Sequence, residues 1–312
     1  MGNPSMSCCT LASALAIDRF SVAVVCHDAG AANLLAHWIC GETVRSARCC
    51  MAGPALEIWS RRFPGFACLS LEDACRNANL VITGTGWSSE LEHDARRLAR
   101  ANGSWSIAVL DHWVNYRSRF ERRGTEVLPD EVWVSDEWAR SAAQDALPGM
   151  SVRQFPNEYL RSLVSEVHGH GSSHPVSRGV VRALYVCEPL RAPWCLGRPN
   201  PEFECLGLLD RLAERIAPGR RMELIVRPHP SEHPSKYVGW SPRHIASWRL
   251  DSQSGLARQI ADAEIVAGCE SYAMAIAVAA GRTVFCSLPA AAPGCRLPHS
   301  QIRMLRDLED GR

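Results

Sequence analysis

The chemically capable residues of this chain fall in a few short stretches. In LIVRPHPSEHP (Leu224 to Pro234) an apolar run ends in Arg227, and two His-Pro pairs follow at His229 and His233. Imidazoles four apart suit zinc when a helix sets them on one face. Here Pro228, Pro230 and Pro234 bracket both histidines and oppose a continuous helix, so no metal is assigned. The remaining chemistry is anion binding. Arg227 offers a planar fork to phosphate oxygens and His229 a second donor beside it. His233 and Glu232 belong to the loop beyond. In VAGCESYAMAIAVAAG, Gly268 ends a strand and Cys269-Glu270-Ser271 opens a helix. Its first amides can hold a phosphate, with Ser271 as an added donor and Glu270 accepting from ribose hydroxyls. Arg227 and His229 end a neighbouring strand and can face the same diphosphate.

Three further stretches carry polar groups at strand ends. In VVCHDAGAANLL a strand stops at Cys26, and His27, Asp28, Ala29 and Gly30 turn into a helix. This turn can hold a general base or an anion; the plainer alternative is that Asp28 caps the helix. In TGTGWSSELEHD, Gly84 and Gly86 flank Thr85 and let a ligand approach the backbone. The alternative is ordinary capping by Ser88 or Ser89, with an acidic first turn that complements the helix dipole. In LDHWVNYRSRFERR, Asp111 and His112 end a strand, and Trp113, Asn115, Tyr116, Arg117 and Arg119 follow. The stretch is too polar for a core and too aromatic for a plain loop. It suits a polar substrate such as a sugar or an anion, or else it is a partly buried loop plugged by Trp113. Asp28 and His27 are thus the candidate catalytic groups. Gly30, Thr85, Ser88, Asp111, His112, Trp113, Asn115 and Tyr116 are the candidate acceptor site.

Elements that could position these residues alternate along the chain. FSVAVVC (20–26), VRSARCCMA (44–52), NLVITGTG (79–86), SIAVLD (106–111), EVWVSD (131–136) and SVRQF (151–155) have the character of short buried strands. Helical segments stand between them at 31–39, 54–63, 88–102 and 137–147, and a last one follows at 157–167. The alternation breaks at HGHGSSHPVSRG (168–179), which lacks an apolar period and reads as a linker. It resumes with strands at 180–189, 222–228, 244–251, 264–268 and 282–289, and helices at 204–216, 254–263, 269–281 and 300–310. The expected fold class is α/β, with two Rossmann-like, doubly wound parallel sheets and a ligand cleft at the carboxyl ends of the strands. The expected boundaries are a disordered tail over 1–18, a first domain over 19–168, a linker over 169–178 and a second domain over 179–312.

Composition narrows the function classes. Among 312 residues the net charge is +1, which gives no basic face for nucleic acid. Lys236 is the only lysine, so no Gly-Lys-Ser/Thr phosphate loop exists, and a Schiff-base lysine could only be that residue. The 14 cysteines include no C-x-x-C, and several sit inside apparent core elements, which implies structural thiols in a reducing, cytoplasmic setting. No run of about 18 apolar residues occurs, so no membrane span is expected. Oligomeric state has no sequence signal.

Two Rossmann-like halves, a strand ending in Arg-x-His-Pro and a later Gly-x-Glu-Ser helix start together resemble the GT-B glycosyltransferase superfamily. The motifs are nearest to bacterial sialyl-, polysialyl- and Kdo-type transferases and CDP-glycerol glycerophosphotransferases. The resemblance implies that His229 and Pro230 contact the donor phosphate and that Ser271 helps hold it. It also implies no metal or other cofactor, a CMP-, CDP- or UDP-linked sugar as co-substrate, a small acceptor, and inversion at the reacting carbon. Where that group carries an acidic-acidic-Gly motif for the base, this chain has His27-Asp28-Ala29-Gly30. The Gly-x-Glu-Ser tail is also similar to nucleotide-sugar epimerases and hydrolases of the same fold. A non-catalytic bilobed nucleotide-binding subunit is the third expectation.

Overall fold

The computed structural model describes residues 20–39, 41–171 and 179–309. The chain divides into two compact units, Met1–Tyr159 and Leu160–Arg312. The tail expected over 1–18 and the linker positions 172–178 lie outside the described residues.

In the first unit the order is β1 (Val22–Cys26), α1 (Ala29–Trp38), α2 (Gly41–Ser46), β2 (Arg48–Met51), α3 (Gly53–Arg62), α4 (Leu71–Cys75), β3 (Leu80–Thr83), α5 (Leu91–Asn102) and β4 (Trp105–Val109). A hairpin of β5 (Glu121–Arg122) and β6 (Thr125–Glu126) follows, then β7 (Glu131–Val134), α6 (Glu137–Ala146) and β8 (Ser151–Gln154). Six strands pair in parallel in the order β2-β1-β3-β4-β7-β8. Every residue of β1 is buried, as a parallel sheet with both faces covered requires. Val22, Val24 and Cys26 pack into one core with α1 and Trp59, while Ala23 and Val25 pack into another with Ala74, Ala95 and Ala99. The two-residue period of the strand thus sends alternate side chains into two layers.

The second unit begins within α7 (Glu158–His170) and continues with β9 (Val180–Val186), α8 (Pro201–Arg211), α9 (Ala213–Ile216), β10 (Arg221–Arg227), β11 (Ser247–Leu250), α10 (Leu256–Asp262), β12 (Ile265–Gly268), α11 (Tyr272–Ala279), β13 (Thr283–Cys286), β14 (Ile302–Met304) and α12 (Leu305–Glu309). Its sheet is also six-stranded and parallel, in the order β11-β10-β9-β12-β13-β14. Both sheets change winding direction beside their first strand: between β1 and β3 in one, between β9 and β12 in the other. Such switch points open a crevice at the carboxyl edge, because the connections leave in opposite directions.

Several elements differ from the sequence reading. Helix α7 runs through His170, so the first positions of the expected linker are helical. The expected strand over 44–52 is a short helix followed by β2, because only Arg48–Met51 pairs with β1. The helix expected over 204–216 breaks at Leu212. The helix expected over 300–310 starts only at Leu305; Ile302–Met304 instead extend the sheet beside β13. The β5–β6 hairpin turns through Arg123 and Gly124, both at positive φ (49° and 74°), the backbone of a tight hairpin turn. An Arg-Gly pair lacks the usual Asn-Gly or Asp-Gly signature, which hides this turn in the sequence.

Candidate functional site

At the switch point of the first sheet, His27 and Asp28 leave β1, Gly84 to Ser88 leave β3, and Asp111 follows β4. Asp28 caps α1: its Oδ2 accepts from Gly30 N at 3.1 Å and Ala31 N at 3.3 Å. The Asp111 carboxylate stands close enough to act on it electrostatically. Capping and a chemical role are therefore not alternatives here, since the cap fixes the carboxyl at the sheet edge. Burial, then the Asp111 and Glu92 carboxylates, push Asp28 up to about 7. Burial would raise Asp111 as well, but Arg119 at 2.7 Å, with His112 and a backbone hydrogen bond, holds Asp111 below the usual range. The two carboxyls thus differ in proton affinity, Asp28 raised and Asp111 lowered. Gly30 is required for this pairing, because a Cβ there would lie 1.8 Å from Asp111 Oδ2.

Glu92, on α5, locks the arrangement from below. It is 1% exposed; its Oε1 accepts from His27 N (2.8 Å) and Asp28 N (3.2 Å), and its Oε2 from Gly86 N (2.6 Å). The acidic first turn therefore reaches back to the β1 and β3 turns rather than only complementing a helix dipole. The His27 ring packs on Gly53, where a Cβ would approach Nε2 to 2.5 Å, and its Nδ1 lies 3.5 Å from Ser88 Oγ.

The other acceptor-site candidates separate. Thr85 is buried, donates to Val109 O (2.9 Å) and accepts from Arg119 Nη1 (3.2 Å), which ties it to the residue that pairs with Asp111. Trp113 is also buried, with its indole N–H on both Asp136 oxygens. His112 stacks edge-on against Trp113 and accepts from its backbone N–H. Asn115 is exposed at φ 61°. Tyr116 is buried, and among the described residues its hydroxyl has no hydrogen-bond partner.

At the switch point of the second sheet, Glu188 follows β9, Arg227 ends β10 and Pro228 to Pro230 follow it, and Gly268 ends β12 ahead of Cys269 to Ser271. His229 Nδ1 accepts from Ser231 N at 3.1 Å, which leaves the Nε2 proton for another acceptor. Burial, and then Arg191, lower its pKa against the pull of Glu232, which favours the neutral imidazole. Pro230 is exposed in the following turn. The Arg227 guanidinium holds Ser254 O (2.6 Å) and Gln259 Oε1 (2.7 Å), so part of its fork ties down the neighbouring loop. Ser271 is the N-cap of α11 and accepts from Ala273 N. Gly268 is dictated by β9, since a Cβ there would lie 2.8 Å from Val186 O.

Two partners in this site have no part in the sequence reading. Glu188 Oε1 accepts from Glu270 N at 2.7 Å, and burial pushes this carboxyl up to about 7. Both oxygens of Glu270 accept from Arg296, whose backbone N–H also donates to Oε1. A charged residue directly after VVRALYVC was a usable signal for Glu188; Arg296, 26 residues beyond Glu270, gave none. Among the described residues no three His, Cys, Asp or Glu side chains are grouped to hold a metal, and no helix is long and apolar enough to cross a membrane.

No family model matches the sequence, and no curated protein matches it. Among solved structures the chain is similar to UDP-GlcNAc 2-epimerase from Neisseria meningitidis bound to UDP-GlcNAc, at TM-score 0.55 and 12% identity over 85% of this chain and 82% of that one. It is similar to S. aureus MnaA in a UDP co-structure, at TM-score 0.53 and 10% identity over 85% and 78%. It is also similar to the glycotransferase of kitacinnamycin, at TM-score 0.52 and 11% identity over 91% and 85%. The shared feature is the fold: two parallel-sheet α/β units of the GT-B type. The resemblance to the His-Pro subgroup within that superfamily rests on the motif residues alone.

Proposed function

We propose that this chain is a metal-independent enzyme that transfers a sugar from a nucleotide-activated donor to a hydroxyl acceptor. The observation that carries the reading is the Asp28–Asp111 pair at the first switch point, a carboxyl fixed by helix capping and poised near neutrality. Asp28 takes the acceptor's hydroxyl proton, with His27 beside it as the second candidate base. The acceptor oxygen forms the new bond to the sugar carbon, and the bond from that carbon to the donor phosphate breaks. The nucleotide leaves with the electron pair. On the second unit His229 Nε2–H, the turn at Pro230, the charge of Arg227 and the α11 start at Gly268 to Ser271 would hold the departing phosphate. The Glu270–Arg296 pair would meet the ribose.

A thermal-shift series with CMP, CDP, UDP, GDP and dTDP tests the donor side, since a ligand that binds only the folded state stabilises it. A pyrimidine nucleotide should raise the midpoint, and His229→Ala should abolish the shift. No response to any nucleotide would sink the reading. Asp28→Asn should keep the nucleotide response and lose turnover; turnover in wild type should rise with pH through about 7, the value to which Asp28 is pushed.

The same carboxyl pair also suits proton removal and return on a nucleotide-sugar itself, as in an epimerase or hydrolase. Incubation with donor and no acceptor separates the readings: isomerised or free sugar at a turnover rate excludes transfer as the primary activity.

A further inference from the structure

Cysteines gather behind the α11 start, and none of the roles above uses them. Cys286, the last residue of β13, is fully buried, and its thiol donates to Cys269 O at 3.1 Å. Cys295 lies half-exposed on the loop between β13 and β14, and its thiol donates to the same oxygen at 3.7 Å. Two thiols on one carbonyl oxygen are neighbours. The Cys269 sulfur is turned elsewhere, 3.7 Å from Ser287 Oγ and 3.8 Å from Tyr185 Oη. The two neighbours differ in acidity. The Cys286 thiol holds Cys295 below the ordinary thiol range against burial, while Cys295 and burial push Cys286 up. A half-exposed, more acidic thiol is the one an oxidant reaches and meets as thiolate.

We infer that Cys295 and Cys286 form a redox modification site, at which a peroxide oxidises Cys295 and Cys286 closes a disulfide onto it. The Cys295 thiolate attacks one peroxide oxygen: the S–O bond forms, the O–O bond breaks, and the other oxygen leaves as hydroxide and takes a solvent proton. The Cys286 sulfur then attacks the Cys295 sulfur: the S–S bond forms, the S–O bond breaks, and water leaves with the Cys286 proton. Two thiols thus lose two electrons and two protons, and the peroxide is reduced to two waters. Disulfide sulfurs stand about 2.05 Å apart, so the thiols must close up. Cys286 is pinned between β12 and β14, paired with Gly268 and Met304, so the movement falls on the irregular loop of Cys295. The next amide along that loop, Arg296 N–H, donates to Glu270 Oε1 at 2.7 Å, and Arg296 Nε lies 3.0 Å from both Glu270 oxygens. Drawing Cys295 inward takes Arg296 off Glu270. This consequence, unlike the disulfide itself, rests on the reading of that pair as the ribose contact.

Peroxide treatment of the full chain, alkylation of free thiols and non-reducing tryptic mapping test the pair. The peptide Thr283–Arg296 carries both thiols and no other cysteine. After treatment it should be two hydrogens lighter and take no alkylating agent, and dithiothreitol should reverse both changes. Cys286→Ser should instead leave a sulfenic acid on Cys295 that dimedone captures. Both thiols still alkylated in wild type, or Cys295 joined to the peptide of Cys269, overturns the assignment. Nucleotide affinity is read by thermal shift on the same samples. Oxidised wild type should bind several-fold more weakly and recover with dithiothreitol, while treated Cys295→Ser should match its untreated self. A disulfide that leaves the affinity unchanged overturns the link to Arg296. A disulfide in a chain that answers no nucleotide even when reduced keeps the redox pair and removes the transfer reading.

Discussion

Single carboxyl groups set most of the chemistry at both sheet edges, and they do so through unlike partners. Asp28 gains its raised pKa from burial and two neighbouring carboxylates, whereas Asp111 keeps its charge because Arg119 sits against it. Glu92 makes this inequality possible, since its three amide contacts fix where His27, Asp28 and Gly86 stand. Each of those amides would lose its partner on truncation, and an unpaired buried donor costs about 1–3 kcal/mol. Glu92→Ala should therefore lose about 3 kcal/mol or more in denaturant unfolding, and Glu92→Gln less, because one amide oxygen still accepts. A loss below about 1 kcal/mol for the alanine variant would contradict the clamp. The sequence exposed Asp28 and Asp111, because acids at strand ends stand out against apolar runs. It did not expose Glu92, which sits in a helical first turn where an acid is ordinary. Nor did it show that Thr85 and Trp113 are buried, because their types suit a core and a surface alike.

Loops are what carry these groups, and the loop after β10 shows how one is held. The two histidines of LIVRPHPSEHP have unlike duties. His229 presents Nε2 outward, while His233 Nδ1 accepts from Ser235 N and caps a short 3₁₀ turn. The only lysine of the chain spans the base of this loop: Lys236 Nζ meets Glu232 at 2.6 Å and Glu202, at the start of α8, at 2.7 Å. Burial pushes Glu202 up, but the Lys236 ammonium and the backbone amides it accepts from together keep the carboxyl low. Glu202 also accepts from Leu190 N, so the ammonium joins the loops after β9 and β10. Lys236→Met would leave two largely buried carboxylates facing each other, a costlier state than losing an exposed pair. Amide exchange over 229–237 should accelerate in that variant, and nucleotide affinity should fall several-fold with the strand amides still protected. Unchanged exchange in the loop would show that the prolines alone hold it. Prolines and the His spacing in the sequence disfavoured a zinc helix. The partner at Glu202, 34 positions upstream of Lys236, had no local pattern to reveal it.

Two parallel sheets, each reversing its winding beside its first strand, organise the molecule as a whole. This level was the most legible, because buried parallel strands read as short β-branched runs between helical periods. Chain ends and short crossovers were less so: β14 and α2 are too short to impose a period. The architecture has a consequence for stability, since each switch point buries a carboxyl that resists ionisation. Asp28 is pushed from 3.8 up to about 7 and Glu188 from 4.5 up to about 7. A carboxyl with a raised folded-state pKa stabilises the fold fully below its unfolded pKa. That contribution is lost as pH rises to the folded value, because the folded state binds the extra proton only in that window. Between about pH 4 and 7 both groups therefore favour lower pH. Asp111 and Asp251 act oppositely: their lowered values stabilise above the ordinary carboxylate range and fail only as pH falls below it. Stability should thus peak in the mildly acidic range, with a lower unfolding midpoint at pH 8 than at pH 5.5. Asp28→Asn keeps an N-cap and Glu188→Gln keeps the acceptor for Glu270 N, so neither substitution removes a hydrogen bond while it removes a titration. Calorimetric midpoints of the double variant should lose most of the decline between pH 5.5 and 8. A decline as steep as that of wild type would mean that neither carboxyl is held protonated in the folded protein.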